Sequence, residues 1–341
     1  MPPQETSKRE GDPMLMRDIV AETITSHVSD LATRFVAFKK ISMKLSQGDE
    51  FIIEPTRGGG ATNFSYKVCL RYDPDPDLAL FAKLSFPYAL WNPDPNVLYD
   101  LERTENEYAI MNRVSEMMDD APIATPYLCV DVQHNMKLLV TEWSKSDEQW
   151  ATQFIDGVVD NRVVPKIART LALLHLADFD PEFNTNVRPC MLTLFPAMSA
   201  KLRELNSLNA GEGGRVAVLA KSYGQDLCDE IVDRNVANYN DRNCLVHSDP
   251  QAFNILVERK PDASTPERFG PTGDVVLCDW EMAFAGPIGR DIGLAWVMPV
   301  SCLLAHATRG RANFVEDSFL RIIAELWAEY SKVLVEKGNK D

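Results

Sequence analysis

Paired metal-ligand cysteines are missing from this chain. Its seven cysteines (Cys69, Cys129, Cys190, Cys228, Cys244, Cys278, Cys302) are odd in number, scattered and without a C-x-x-C pair. That pattern excludes a disulfide framework and reads as reduced core thiols. The five histidines are equally dispersed, which leaves no paired ligands for a structural zinc. Positive charge is also short: 35 basic against 50 acidic residues give a net charge of −15. A general nucleic-acid binder needs clustered Lys and Arg, so nucleic acid is not an expected partner. The N-terminal residues lack the apolar core of a signal peptide. The longest apolar stretch, Ile292 to Ala307, is interrupted by Pro299 and falls short of the roughly 20 residues of a membrane helix. It is read as a core helix pair, and the protein as cytoplasmic, with no membrane partner. Finally, neither G-x-x-x-x-G-K-[ST] nor a complete G-x-G-x-x-G is present, which removes the P-loop and Rossmann readings.

With 341 residues, 45% of them hydrophobic, the chain is long enough for two lobes around substantial cores. Met14 to Leu45 carries apolar residues at helical steps. Phe51-Ile52-Ile53-Glu54 then leads into Pro55-Thr56-Arg57-Gly58-Gly59-Gly60-Ala61-Thr62-Asn63, after which Phe64, Tyr66, Val68 and Leu70 alternate with polar residues. Period two means that a strand, not a helix, follows the glycines. A Gly-rich strand-turn-strand flap of this kind lets backbone N–H groups and the Thr62 and Asn63 side chains approach phosphates. The next strand, Leu78 to Leu84, is apolar except for Lys83. Leu101 to Met118 has a helical stripe opened by Glu107, with Glu105 as the alternative register for a partner to Lys83. Val164-Pro165 starts another helix, on which His175 is read as a packed core histidine.

The chemistry is concentrated further on. In Val246-His247-Ser248-Asp249-Pro250-Gln251-Ala252-Phe253-Asn254-Ile255, a carboxylate and a carboxamide stand five residues apart between apolar runs. Val275-Val276-Leu277-Cys278-Asp279-Trp280-Glu281 delivers a second carboxylate to the end of a strand. The combination suits phosphoryl transfer: one Asp takes the acceptor's proton, while an Asn and a second Asp hold Mg²⁺ on the phosphates. A polar Pro- and Gly-containing insertion between Glu258 and Asp274 joins the two strands.

His-x-Asp-x4-Asn followed by Asp-x-Glu resembles the aminoglycoside phosphotransferase and choline kinase superfamily, from Ile53 to Trp296. That resemblance implies an α+β, bilobal protein-kinase-like fold with a small mixed β-sheet lobe (residues 1–143, with the N-terminal helices) and a larger helical lobe (144–341). It implies ATP and Mg²⁺ as cofactors and a small-molecule hydroxyl as acceptor. Residue by residue, it implies Asp249 and His247 in the catalytic loop, with His247 shaping the loop, and Asn254 and Asp279 as metal ligands. Gly58, Gly59, Gly60, Thr62, Asn63, Lys83 and Glu107 would bind the nucleotide phosphates, and Glu142 and Trp143 the adenine through their backbone. Glu281 would support the metal shell, and Asp291 would brace the catalytic loop. Ser248, in place of the common Gly, and Pro250 depart from the pattern. Leu84-Ser85-Phe86-Pro87-Tyr88 and the run Glu281 to Gly293 are similar to methylthioribose kinases. Asn254 is more like choline and aminoglycoside kinases, where Trp280 or Trp296 would stack on a quaternary ammonium. The acceptor is thus expected to be a small sugar, methylthioribose first, with choline, ethanolamine or an aminoglycoside as alternatives. A catalytically silent nucleotide-binding scaffold is the competing reading.

Overall fold

The computed structural model describes residues 13–56, 63–87, 100–118, 121–146, 148–180, 241–258, 269–310 and 315–338, with residues 230, 233, 234 and 237 besides. Gly58, Gly59, Gly60 and Thr62, most of the stretch 181–240 and the insertion at 259–268 lie outside them.

Two helices open the chain, α1 (Pro13–Arg34) and α2 (Val36–Ser46), and five strands follow: β1 (Phe51–Pro55), β2 (Phe64–Leu70), β3 (Leu80–Ser85), β4 (Pro126–Val132) and β5 (Met136–Glu142). The strands form one sheet in the order β1-β2-β3-β5-β4, antiparallel at every pairing. Alternation decides its two faces. Tyr66, Val68, Leu80, Ala82 and Leu84 point to one side and form a core with Ile24, Leu31, Phe38 and Ile41 of α1 and α2. Lys67, Phe81 and Lys83 therefore point to the other. The role left open for the N-terminal helices is thus to cover the sheet's far face.

Between β3 and β4 runs α3 (Glu102–Met117). Its apolar stripe Ile110, Met111 and Val114 packs in the core of the large lobe, with Trp150, Leu171, Leu277 and Trp280. The helix belongs energetically to the large lobe while facing the sheet with its polar side.

After β5 come β6 (Glu148–Gln149), α4 (Trp150–Asp156) and α5 (Val164–His175), then β7 (Cys244–Val246), β8 (Ile255–Val257), β9 (Val275–Leu277) and β10 (Phe284–Gly286). β6, β8 and β9 form a small antiparallel sheet, and β7 pairs with β10. The register Ile255↔Leu277 sets the ends of β8 and β9 side by side, which brings the residues just before β8 next to those just after β9. The chain closes with α6 (Ile288–Arg309) and α7 (Glu316–Gly338). The architecture is α+β and bilobal, a five-stranded sheet backed by α1 and α2 with its own core, beside a larger, mainly helical part with a second core.

One sequence expectation fails in detail. Ile292 to Ala307 is not a helix pair: Pro299 sits inside the single helix α6. α6 is also the one helix among the described residues long and apolar enough to cross a membrane. In this fold it packs against α4, α7 and β7, with Val297, Val300 and Leu304 left exposed.

Candidate active site

Lys83 stands on the face of β3 turned toward α3 and is 4% exposed. Its ammonium lies 2.8 Å from Glu107 Oε2, 2.6 Å from Asp279 Oδ1 and 3.0 Å from Glu281 Oε2. Glu107, not Glu105, is therefore its partner on α3; Glu105 pairs with Lys137 instead. Glu107, Asp279 and Glu281 group closely enough to suggest a metal cluster, but the cation at their centre is the lysine itself.

The electrostatics of this cluster follow from burial and charge count. Burial opposes the Lys83 ammonium, yet Asp279, Glu107 and Glu281 hold its pKa well above the ordinary lysine value. Burial pushes Glu107 up to about 7, with Lys83 pulling it down and the other two carboxylates pushing the same way as burial. Glu281 is also buried, but Lys83 and Arg103 outweigh that and bring it to about 2. Three carboxylates thus share two cations, Lys83 and Arg103. Of the three, Asp279 is the open one, its side chain 36% exposed against 4% for Glu107 and for Glu281. Asp279 is thus the carboxylate of the three that an incoming cation can reach.

Asp279 adopts a left-handed backbone, φ 65° and ψ 57°, which turns the chain sharply out of β9. Glu107 Oε1 accepts the next backbone N–H, that of Trp280, at 3.2 Å. Across the β8–β9 junction, Asn254 Nδ2 donates to Asp249 Oδ2 (2.8 Å) and to the Asp249 carbonyl (3.0 Å). The five-residue spacing therefore closes a turn, and it leaves the amide oxygen of Asn254 as the atom able to ligate a metal. Burial and the nearby Asp279 raise the pKa of Asp249, against His247, Gln251 and Arg290.

A buried chain of bonds holds the catalytic loop. Asp291, in the first turn of α6 and fully buried, accepts from His247 N (2.8 Å) and Ser248 N (2.7 Å) and pairs with His175 Nε2 (3.1 Å). His175 Nδ1 in turn lies 2.7 Å from the Tyr330 hydroxyl of α7. His175 is buried as read from the sequence, but it belongs to this chain of bonds, a role that its apolar neighbourhood does not announce. Ser248 is held at φ 74°, and its Oγ accepts from Arg290 Nε at 2.6 Å.

The other residues expected at the site take the following places. His247 is fully buried; its Nδ1 accepts from Asp249 N (3.3 Å) and its Nε2 lies 3.2 Å from the Cys278 carbonyl. Burial lowers its pKa although Asp291, Asp249 and Asp279 pull the other way. Both ring nitrogens are thus engaged within the fold. Asn63 is 2% exposed and faces inward, its Oδ1 accepting from Arg103 Nη2 (3.0 Å) and its Nδ2 donating to Glu281 Oε2 (3.1 Å). Glu281 likewise lies in that buried network and not on the open side of Asp279. The N–H groups of Glu142 and Trp143 donate to the carbonyls of Thr125 (2.9 Å) and Ala79 (3.1 Å), so these donors serve the small lobe. The Trp143 ring instead stands 6.5 Å from Phe81, with the Lys67 ammonium 4.8 Å from its centroid. Trp280 is fully buried and its Nε1 donates to the Leu277 carbonyl, which removes it as a wall for an ammonium. Trp296 packs beside Trp327.

Arg103, Lys67 and Phe81 were not singled out from the sequence. For Arg103 a signal existed, a basic residue one turn before Glu107 on the same helix face.

No family model matches the chain, and no curated protein matches its sequence. Among solved structures, it is similar to one described as "Crystal structure of aminoglycoside-3'-phosphotransferase of type VIII", at 16% identity and a TM-score of 0.38, over 83% of this chain and 94% of that one.

Proposed function

We propose that this protein is a Mg²⁺- and ATP-dependent phosphotransferase whose acceptor is a hydroxyl of a small molecule. The observation that carries the reading is the convergence of Lys83–Glu107, Asp249–Asn254 and Asp279 on one cleft between the lobes. Oxygen-only donors, a carboxylate and an amide carbonyl, suit Mg²⁺, and the open Asp279 with its excess negative charge fits such an ion. When bound, the metal would neutralise phosphate charge.

The chain's own residues do the rest. Lys83, held by Glu107, would grip phosphate oxygens. Asp249 would orient the acceptor hydroxyl and take its proton; Asn254 would fix that carboxylate, and His247, accepting from Asp249 N, its backbone. The base would rest against Phe81 and Trp143; of the backbone groups expected there, the N–H groups of Glu142 and Trp143 are already engaged.

For the acceptor, a small sugar such as methylthioribose stands first. The choline alternative loses the support of Trp280, because that ring is inaccessible. A coupled ADP-release assay with methylthioribose, choline, ethanolamine and an aminoglycoside tests both levels. Acceptor-dependent release with any of them supports the reaction class. An equal slow release with all four, or none at all, would refute it and favour a silent nucleotide-binding scaffold.

A further inference from the structure

α3 is rooted in the large-lobe core, and two of its side chains, one turn apart, reach from it toward the small lobe and the Asp279 segment. Glu107 takes Lys83 and the Trp280 N–H. Arg103, 4% exposed, does more. Its Nη2 donates to Asn63 Oδ1 (3.0 Å) and to the Phe86 carbonyl (2.9 Å), its Nη1 to the Asp100 carbonyl (2.9 Å), and its Nε lies 3.4 Å from Glu281 Oε2. Asn63 closes the ring by donating to the same Glu281 oxygen.

One guanidinium therefore touches the residue before β2, the residue after β3, and the residue two beyond Asp279. A buried cation persists only where its donors are met, and the planar fork of Arg can serve several acceptors in fixed directions where Lys serves a point. We propose that Arg103 is a positioning residue: it sets the spacing between the start of β2, through Asn63, and the carboxylate Asp279, through Glu281. The proposal rests on the phosphotransferase reading, since the spacing matters only if both parts hold one nucleotide.

The test compares wild type, Arg103→Lys, Asn63→Ala and the double variant for Mg²⁺–ATP affinity by calorimetry, for the KM values of ATP and of a verified acceptor, and for half-saturating Mg²⁺. Thermal unfolding controls for the fold. Arg103→Lys should raise the KM for ATP and the Mg²⁺ requirement at least tenfold while leaving the acceptor KM within about twofold. Asn63→Ala should act in the same direction, and the double variant should be little worse than Arg103→Lys, because both changes cut one link. Unchanged ATP and Mg²⁺ dependence in a folded Arg103→Lys, effects that multiply, or an equal rise in the acceptor KM would overturn the proposal. Should Arg103→Lys not fold, Asn63→Ala alone decides, an unchanged KM for ATP overturning it. A wild-type protein that binds no Mg²⁺–ATP sinks the phosphotransferase reading itself, and this proposal with it.

Discussion

Replacing Asp291 by Asn keeps the volume of the side chain and removes only its charge and one acceptor. The carboxylate receives two backbone N–H groups of the catalytic loop and His175 Nε2, all in the fully buried interior. Hydrogen bonds to a charged group contribute about 1.5–3 kcal/mol each, and the amide can reproduce at most part of the set before its own NH₂ meets an N–H donor. Against that loss stands relief from burying an anion. The balance expected is about 3–5 kcal/mol of destabilisation, the range found when one partner of a buried charged network is removed. With a slope of about 3 kcal/mol/M, the urea midpoint should fall by about 1–1.7 M. The effect has a pH signature. Burial would raise the pKa of Asp291, but its bonds to His175 and His247 win and hold it below the ordinary aspartate value. A depressed folded pKa contributes stability that is present above the unfolded value of about 4 and is lost as pH falls through the folded one. The gap between wild type and Asp291→Asn should thus be full at pH 6–7 and shrink below about pH 4. A midpoint shift worth less than about 1 kcal/mol at pH 7, or a gap that is the same at pH 3, would refute the reasoning.

Asp249→Asn should abolish acceptor phosphorylation and leave Mg²⁺–ATP affinity within about threefold of wild type, read by turnover and calorimetry; wild-type kcat would remove Asp249 from the base role. Asp279→Ala should eliminate the Mg²⁺-dependent part of nucleotide binding, and unchanged Mg²⁺–ATP affinity would remove the metal site from this position. Ser248 sits at φ 74°, so Ser248→Gly should be less damaging than Ser248→Ala by about 1–2 kcal/mol in urea unfolding, because Gly relieves the left-handed strain that Ala keeps. Equal stability of the two variants would show that no strain resides there.

The parts of the site that travel as short motifs were legible in the sequence. His247, Asp249, Asn254 and Asp279 announce themselves because loop chemistry fixes their spacing, and Lys83 because a cation in an apolar strand is conspicuous. Helical periodicity placed Glu107 at the head of the stripe and left Glu105 as the alternative register, a choice made by the pairing of Glu107 with Lys83 and of Glu105 with Lys137. What stayed hidden depends on long-range packing. Asn63 faces Glu281 across 218 residues of sequence, and no local pattern tells a buried acceptor from a phosphate ligand. The same holds for Trp143, whose N–H is taken by Ala79 through the pairing of β3 with β5. Pro299 was read as a helix break, whereas α6 carries it in its interior, where tertiary packing overrides propensity.

The division of the two cores has a consequence for the order in which the chain can fold during synthesis. Among the described residues, every buried residue of the small-lobe core lies between Met16 and Val140, so that core can close as soon as α1, α2 and the five strands have emerged from the ribosome. The large-lobe core cannot, because it takes Phe319, Ile322, Leu326, Tyr330 and Val333 from α7. Tyr330 is also the outer end of the bond chain through His175 and Asp291 to the catalytic loop. A nascent chain that stops short of α7 can carry a finished sheet bearing Lys83, but the bond chain behind the loop of His247 and Ser248 is complete only when residue 330 has cleared the exit tunnel.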